Sequence, residues 1–169
     1  MNPLTRMAGA LAAGALTLLS LAGCDDQRIR ELEEDVSTEA DVRARFGEPE
    51  TIWPESDGGH TLEYNRQPAG HRNYMITIGP GGKMTALRQV LAPHNFERVR
   101  PGMEEEAVRR LLGKPAKRTP YALKQETDWD WNWIDPPSRE MVFTATFGPD
   151  GRAKRTGSVH HFRDSNVFS

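Results

Sequence analysis

The chain has very little cysteine: Cys24 is the only one among its 169 residues. A lone cysteine has no partner within the chain, so an internal disulfide framework is excluded. The fold must therefore rest on side-chain packing, even in an oxidising compartment.

An excess of positive charge is also lacking. The sequence has 22 Lys and Arg against 24 Asp and Glu, a formal net charge of −2. Domains that bind nucleic acid normally carry a strongly basic surface. The charge balance therefore argues against a nucleic-acid partner.

Catalytic and metal-binding motifs are missing as well. There is no Gly-x-Ser-x-Gly, and residues 79–83 lack the spacing of a phosphate-binding loop. His160 and His161 are adjacent, so in a strand they point to opposite faces and cannot share a metal. We therefore predict that the protein is not an enzyme and has no cofactor, no metal site and no small-molecule substrate.

The N-terminal part has the layout of a secretory signal peptide. An uncharged run over residues 7–23 follows Arg6, and this run is short for a spanning helix. It ends in Leu21-Ala22-Gly23-Cys24, which resembles the bacterial lipobox. The resemblance implies cleavage before Cys24, acylation of its thiol, and attachment to a bilayer through two or three acyl chains. We expect a signal peptide over residues 1–23.

Residues 24–36 are predicted to be a lipidated tether. They are mostly charged, and their few apolar side chains, Ile29, Leu32 and Val36, are spaced by three and four. This spacing is compatible with a short helix that has a thin apolar stripe. A solvated segment that lifts the rest of the chain off the bilayer is the other interpretation.

The remainder contains an internal repeat. The capping-box sequence that begins at Thr38 predicts a short helix over 39–46, ended by a Gly-x-Pro at Gly47. A second helix is predicted over 104–112 and ends in the same way at Gly113. Matching the two copies pairs Val42 with Val108 and Tyr64 with Trp133.

Strand-like segments and Gly-rich turns follow each helix in the same order. We therefore predict an α+β fold of two tandem units, over 37–92 and 93–169. Each unit would contain a short helix and about four antiparallel strands. The helices would cover one face of the sheet and leave the other face for solvent or a partner.

The segment Asp128-Trp129-Asp130-Trp131-Asn132-Trp133 alternates strictly, which in a strand places three indoles on one face. That face could be packed under helices. Alternatively, Trp129, Trp131 and Trp133 could form an exposed stripe that binds a protein partner. The segment begins like a calcium loop, but Trp133 and Arg139 stand where glycine and glutamate are needed.

The second unit resembles the SmpA/OmlA family of BamE-like lipoprotein domains. The resemblance rests on a Gly-Met pair, a valine on the following helix and a closing Gly-x-Pro: Gly102, Met103, Val108, Gly113 and Pro115. The first unit keeps Val42, Gly47 and Pro49 but has Val36-Ser37 in place of Gly-Met, so it resembles a diverged copy. Tandem copies are also similar to β-lactamase inhibitor protein, in which two such units form one curved sheet.

The family resemblance implies a periplasm-facing scaffold or adaptor of the bacterial envelope, in outer-membrane β-barrel assembly or envelope integrity. Its protein partner would be a barrel-assembly component or another envelope protein. The similarity to the inhibitor implies an alternative, the binding of a periplasmic or extracellular enzyme through an open sheet face. The family favours the outer membrane, whereas Asp25 after Cys24 resembles a signal for retention in the inner membrane.

Overall fold

The computed structural model describes residues 25–160. They form two tandem α+β units, each with a four-stranded antiparallel sheet, as the repeat predicts. The first unit comprises α1 (Asp25–Arg30), α2 (Glu39–Phe46), β1 (Thr51–Pro54), β2 (His60–Asn65), β3 (Asn73–Ile78) and β4 (Met84–Gln89). The second comprises α3 (Pro93–Phe96), α4 (Glu105–Leu112), β5 (Lys117–Tyr121), β6 (Glu126–Asp135), β7 (Arg139–Phe147) and β8 (Ala153–His160).

Both sheets are simple meanders, in the orders β1-β2-β3-β4 and β5-β6-β7-β8. The residue before each main helix also bridges to the last hairpin of its own unit, Thr38 to Lys83 and Glu104 to Arg152. The two bridges occupy corresponding places in the two copies. They tie the start of α2 and of α4 to the hairpin beside it.

An aromatic side chain on the second strand of each sheet closes the end of the helix above it. The Tyr64 hydroxyl donates to the Gly47 carbonyl at 2.9 Å, and the Trp131 indole N–H donates to the Gly113 carbonyl at 2.9 Å. The structural equivalent of Tyr64 is therefore Trp131, and the match to Trp133 drawn from sequence is wrong. Because the strands of the two units differ in length and are joined by different turns, equivalent residues are not separated by one constant number of positions.

Sequence accounts well for the first main helix. The Thr38 side chain accepts a hydrogen bond from the Asp41 N–H, and the Asp41 carboxylate accepts from the Thr38 N–H, so the capping box forms. Val42 and Phe46 lie four apart and are buried over the first sheet. Gly47 takes a positive φ of 82° and ends the helix.

Helix α4 lies between the two sheets. Its Val108 and Leu112 are buried in the core of the second unit. On its other side, Arg109 donates to the Thr51 hydroxyl at 2.7 Å, and Arg110 lies over the Trp53 ring at 4.7 Å. The layers therefore run helix, sheet, helix, sheet.

This layering leaves the two sheets in different environments. Strands β2 and β3 are buried on both faces over most of their length, whereas β6 alternates between buried and half-buried residues. The prediction that each sheet keeps one free face holds for the second sheet and is wrong for the first. The docking of α4 covers the face of the first sheet that lies away from α2.

The segment before α2 packs against the first unit. Ile29 and Leu32 contact its core, and the Leu87 N–H donates to the Glu34 carboxylate at 3.1 Å. The apolar stripe seen in sequence is thus a packing stripe, and the fully solvated interpretation is wrong for residues 29–34. Among residues 25–160, no helix is long and apolar enough to cross a membrane.

Candidate functional site

The residues predicted from sequence as functional do not meet in one site. Cys24, the predicted lipidation site, lies outside the described residues. Trp129, Trp131 and Trp133 are only 3, 0 and 4% exposed, so the prediction of an exposed aromatic stripe is wrong. Of the two interpretations of this strand, the structure supports the packed one.

The indoles form the centre of the second core. Trp133 and Phe96 meet edge to face with ring centres 5.0 Å apart, and Trp129 contacts Phe147 at 4.7 Å. Helices α3 and α4 cover this face of the second sheet. The indoles therefore stabilise the second unit and are not available to a partner.

The opposite face of the second sheet is uncovered and mainly polar. We call it the outer face, and its central side chains are Asp128, Asp130, Asn132, Thr144, Thr146 and Arg155. It also carries an apolar pair beside Asn132, Val142 and Val159, of which Val159 is 60% exposed. Cross-strand hydrogen bonds order it: the Thr144 and Thr146 hydroxyls donate to Asp130 and Asp128, each at 2.6 Å. The outer face is thus a pre-ordered, mainly polar surface formed by β6, β7 and β8.

Glu126 lies at one end of the outer face and is strongly ionised. Its carboxylate accepts hydrogen bonds from Arg155 at 2.6 Å and from Lys154 at 3.1 Å. These hydrogen bonds lower the pKa of Glu126 from 4.5 to about 2, Arg155 having the larger effect. The carboxylate therefore stays charged and ties β6 to the edge strand β8 at all ordinary pH values.

A cleft of about 520 Å³ lies at the other end of the outer face, between the two units. The β6–β7 hairpin forms one wall, and the β2–β3 loop packs against it, where Gln67 donates to the Asn132 carbonyl at 2.8 Å. Arg72 and His71 are its basic lining residues. The other lining residues are Ile29, Tyr74, Leu87, Gln89, Ile134, Pro136 and Pro137.

A buried carboxylate joins the two units on the other face of the first sheet. Glu63 is fully buried and accepts from the Lys114 backbone N–H at 2.8 Å and from the Trp53 indole at 3.0 Å. Arg109 supplies the countercharge, with Nε 3.3 Å from a Glu63 oxygen. Asn73 adds bonds to the Leu112 and Lys114 carbonyls at 2.9 and 3.1 Å. Helix α4 is therefore held on the first sheet by specific polar contacts.

The loop between β5 and β6 projects apolar side chains into solvent. We call residues 120–125 the β5–β6 tip. Leu123 is fully exposed at 103%, and Tyr121 is 44% exposed. A groove of about 290 Å³ lies beside them, and Pro120 and Pro149 are among its lining residues.

The β5–β6 tip does not stand out in the sequence, because the composition of residues 118–123 is compatible with one continuous strand. In the structure β5 ends at Tyr121, and a single 3₁₀ turn over Ala122–Lys124 follows. Gln125 then takes a positive φ of 51°, which glutamine rarely adopts. No signal in the sequence shows that Leu123 lacks a covering partner, so its exposure is apparent only in the structure.

The geometry does not resemble a metal centre. Within residues 25–160, no group of three or more His, Cys, Asp and Glu side chains is placed to hold an ion.

The features that could bind another molecule are the outer face, the cleft and the β5–β6 tip. All three are suited to contact with another molecule at the surface.

No protein-family model and no curated protein matches the chain. Among solved structures, the chain is similar to a DUF4309 family protein, YjgB, from Bacillus subtilis, at 19% identity and a TM-score of 0.32. That match covers 79% of this chain and 84% of the other.

Proposed function

We propose that the protein is a lipid-anchored, periplasm-facing scaffold or adaptor of the bacterial envelope, acting in outer-membrane β-barrel assembly or envelope integrity. The observation that carries this proposal is the uncovered outer face, a polar surface held in one arrangement by cross-strand bonds such as Thr144 to Asp130. A surface that is already ordered loses little entropy when a partner binds it.

The lipobox at residues 21–24 supports the anchoring part of the proposal. Helix α1 begins at Asp25, immediately after Cys24, and Ile29 packs against the first unit. At about 1.5 Å per helical residue, a lipid on Cys24 would lie within roughly 10 Å of the folded body. The body would therefore sit close to the bilayer, with little free tether.

Co-purification from gently solubilised envelopes tests the proposal. The wild-type chain and a Cys24→Ala control are purified through the same affinity tag, and the bound proteins are identified by mass spectrometry. We expect barrel-assembly components, or one defined envelope complex, with the acylated chain only. Equal recovery with both chains, or recovery of neither, would argue against an anchored scaffold.

A deletion strain separates this function from enzyme inhibition, which would use the same outer face. Loss of a scaffold should deplete barrel proteins in the outer membrane and sensitise cells to detergents and large antibiotics. Loss of an inhibitor should leave the barrier intact and raise the activity of one periplasmic or extracellular enzyme.

A further inference from the structure

The outer edge of β8 lacks the protection that the other sheet edges have. Strand β1 is short and ends in Pro54, and β5 contains Pro120, a residue that cannot donate to a neighbouring strand. Strand β4 is covered by the chain before α2, where the Asp35 N–H donates to the Met84 carbonyl at 2.7 Å. An unprotected edge is a template for pairing with a further strand.

The two units cover their last strands to different extents. In the first unit a side chain extends the cover along β4, since the Leu87 N–H donates to the Glu34 carboxylate at 3.1 Å. In the second unit the Gly102 N–H donates to the Ala153 carbonyl at 2.7 Å. Within the described part of the chain, no backbone group from outside the sheet bonds to β8 beyond Ala153. The second unit therefore leaves its edge open over residues 154–160.

Equivalent bulges identify which backbone groups of β8 point out of the sheet. Each last strand carries a bulge at its second residue, so Leu87 of β4 corresponds to Thr156 of β8. Because the Leu87 N–H points away from β3, the Thr156 N–H points away from β7. Backbone directions alternate along a strand, so Ser158 and His160 also present their N–H and C=O groups to the open edge.

The outer-face side chains of this edge leave room for a neighbouring strand. Gly157 and Val159 point to the outer face, opposite Thr144 and Val142 of β7. Val159 is 60% exposed, and a Cβ atom placed on Gly157 would lie within 4 Å of nothing beyond its chain neighbours. The φ of Gly157 is not positive, so neither space nor conformation requires glycine there. A glycine inside a strand often marks the close approach of another backbone.

We propose that the open edge of β8 pairs antiparallel with the same strand of a second copy, about a two-fold axis at Ser158. Thr156 of each copy then faces His160 of the other. These residues all present their backbone groups to the edge, so the hydrogen-bonding positions of the two strands coincide. The contact is self-complementary, as a two-fold interface must be.

The side chains are compatible with this register. Val159 of each copy lies across from Gly157 of the other on the outer face, where the glycine leaves space for the isopropyl group. Lys154 and Arg155 lie outside the paired stretch, and both are bound to Glu126 of their own chain. No like charges therefore face each other across the axis.

The pairing joins two outer faces into one sheet surface. Because the axis is normal to the sheet, α4 and the first unit of both copies lie on the same side of it. One pair of edge strands is a small contact beside the roughly 800 Å² per partner of a standard interface, so the dimer is concentration-dependent. The inference goes beyond the proposed function and needs neither the lipid anchor nor an envelope partner.

A single cysteine at the axis tests the pairing. In a Cys24→Ala chain, which has no other cysteine, Ser158→Cys places two thiols in facing positions. The facing Cα atoms would be about 5.5 Å apart, within the range for a disulfide. We therefore expect a cross-linked dimer on mild oxidation.

Thr156→Cys is the matched control, because it lies on the same exposed side of the same strand. In the proposed register its two copies are roughly 13 Å apart along the strands, too far for a disulfide. It should not cross-link alone, but a mixture of Thr156→Cys with His160→Cys chains should. Cross-linking of Thr156→Cys alone as readily as Ser158→Cys would overturn the register.

Sedimentation equilibrium of the detergent-solubilised chain, from micromolar to millimolar concentration, measures the association without a cross-link. Ser158→Lys places like charges at the axis and should weaken the dimer about tenfold or more, whereas Ser158→Thr should associate like the wild type. Because Ser158 is exposed, neither variant should change the melting temperature of the dilute protein.

A chain that stays monomeric at every concentration would overturn the proposal, as would a dimer that Ser158→Lys leaves intact. Residues 161–169 are the other possible occupant of the edge. If the full chain is monomeric and a chain ending at His160 dimerises, this segment covers its own edge and the second copy does not.

Discussion

Glu126 has a strongly lowered pKa, and its charge should matter in acid. Its pKa is lowered from 4.5 to about 2 by hydrogen bonds from Arg155 and Lys154. A lowered pKa in the folded state adds stability above the ordinary pKa, and this contribution is lost as the pH falls from about 4.5 to about 2. We expect the stability difference between wild type and Glu126→Gln to shrink over this range. Urea denaturation at successive pH values measures it, and a constant difference would contradict the prediction.

Glu63 contributes to stability through its buried ion pair with Arg109. Removing one partner of a buried ion pair costs about 3–5 kcal/mol, and Glu63→Ala should cost near the lower value because Arg109 keeps some access to water. The exposed pair of Glu106 with Arg110 provides the control, since Glu106→Ala should cost about 0–1 kcal/mol. Chemical denaturation of both variants compares the two losses. Equal losses would show that Glu63 is not a structural tie.

Sequence could not have identified Glu63. It stands between Leu62 and Tyr64, where alternation along a strand assigns it to a solvated face. Its countercharge, Arg109, lies in the other unit, so the burial results from docking and not from any local pattern. Glu126 differs, because its partners belong to the same sheet, yet no spacing rule predicts which lysine or arginine of β8 lies opposite.

At the scale of single elements, β6 should be the most sensitive strand to truncation. Trp131 is fully buried and its indole closes the end of α4 through the Gly113 carbonyl. Trp131→Ala should therefore lower the free energy of unfolding by about 3–5 kcal/mol. Tyr121→Ala, on the exposed tip, should change it by less than about 0.5 kcal/mol. Thermal or urea unfolding measures both losses. A loss for Trp131→Ala as small as that for Tyr121→Ala would show that Trp131 is not central to the second core.

Periodicity and end signals predicted most elements. The helix expected over 39–46 is α2 (Glu39–Phe46), and the alternating segment over 128–133 lies within β6 (Glu126–Asp135). The same signals could not say which face of β6 is covered, because three indoles suit a core and a binding surface equally. Which face of β6 is covered depends on where α3 and α4 pack. Because they pack on the aromatic face, the candidate site lies on the polar face of the strand.

At the scale of the whole molecule, the two units behave as layers of one body. Sequence predicted the duplication but not the docking of one copy on the other. The side chains of α4 that contact the first sheet include Arg109 and Arg110, and charged residues at such positions normally indicate a solvated helix face. Arg109 donates to Thr51 and pairs with Glu63, and Arg110 stacks on Trp53, and these contacts make the docking favourable. All three partners lie on strands too distant in sequence to be assigned to α4.

The layering predicts one cooperative unfolding transition. Helix α4 covers the first sheet and also forms part of the second core. Unfolding of either unit would therefore expose surface of the other unit that is buried in the folded chain. Scanning calorimetry should give equal calorimetric and van't Hoff enthalpies, the criterion for a two-state transition.

Residues 25–92 expressed alone would leave Glu63 and Asn73 without their partners on the second unit. We therefore expect this fragment to lack native side-chain order by nuclear magnetic resonance. Two separate transitions in the full chain, or an ordered fragment, would show that the first unit is an independent domain. The polar contacts of α4 would then fix only its orientation and would contribute little to stability.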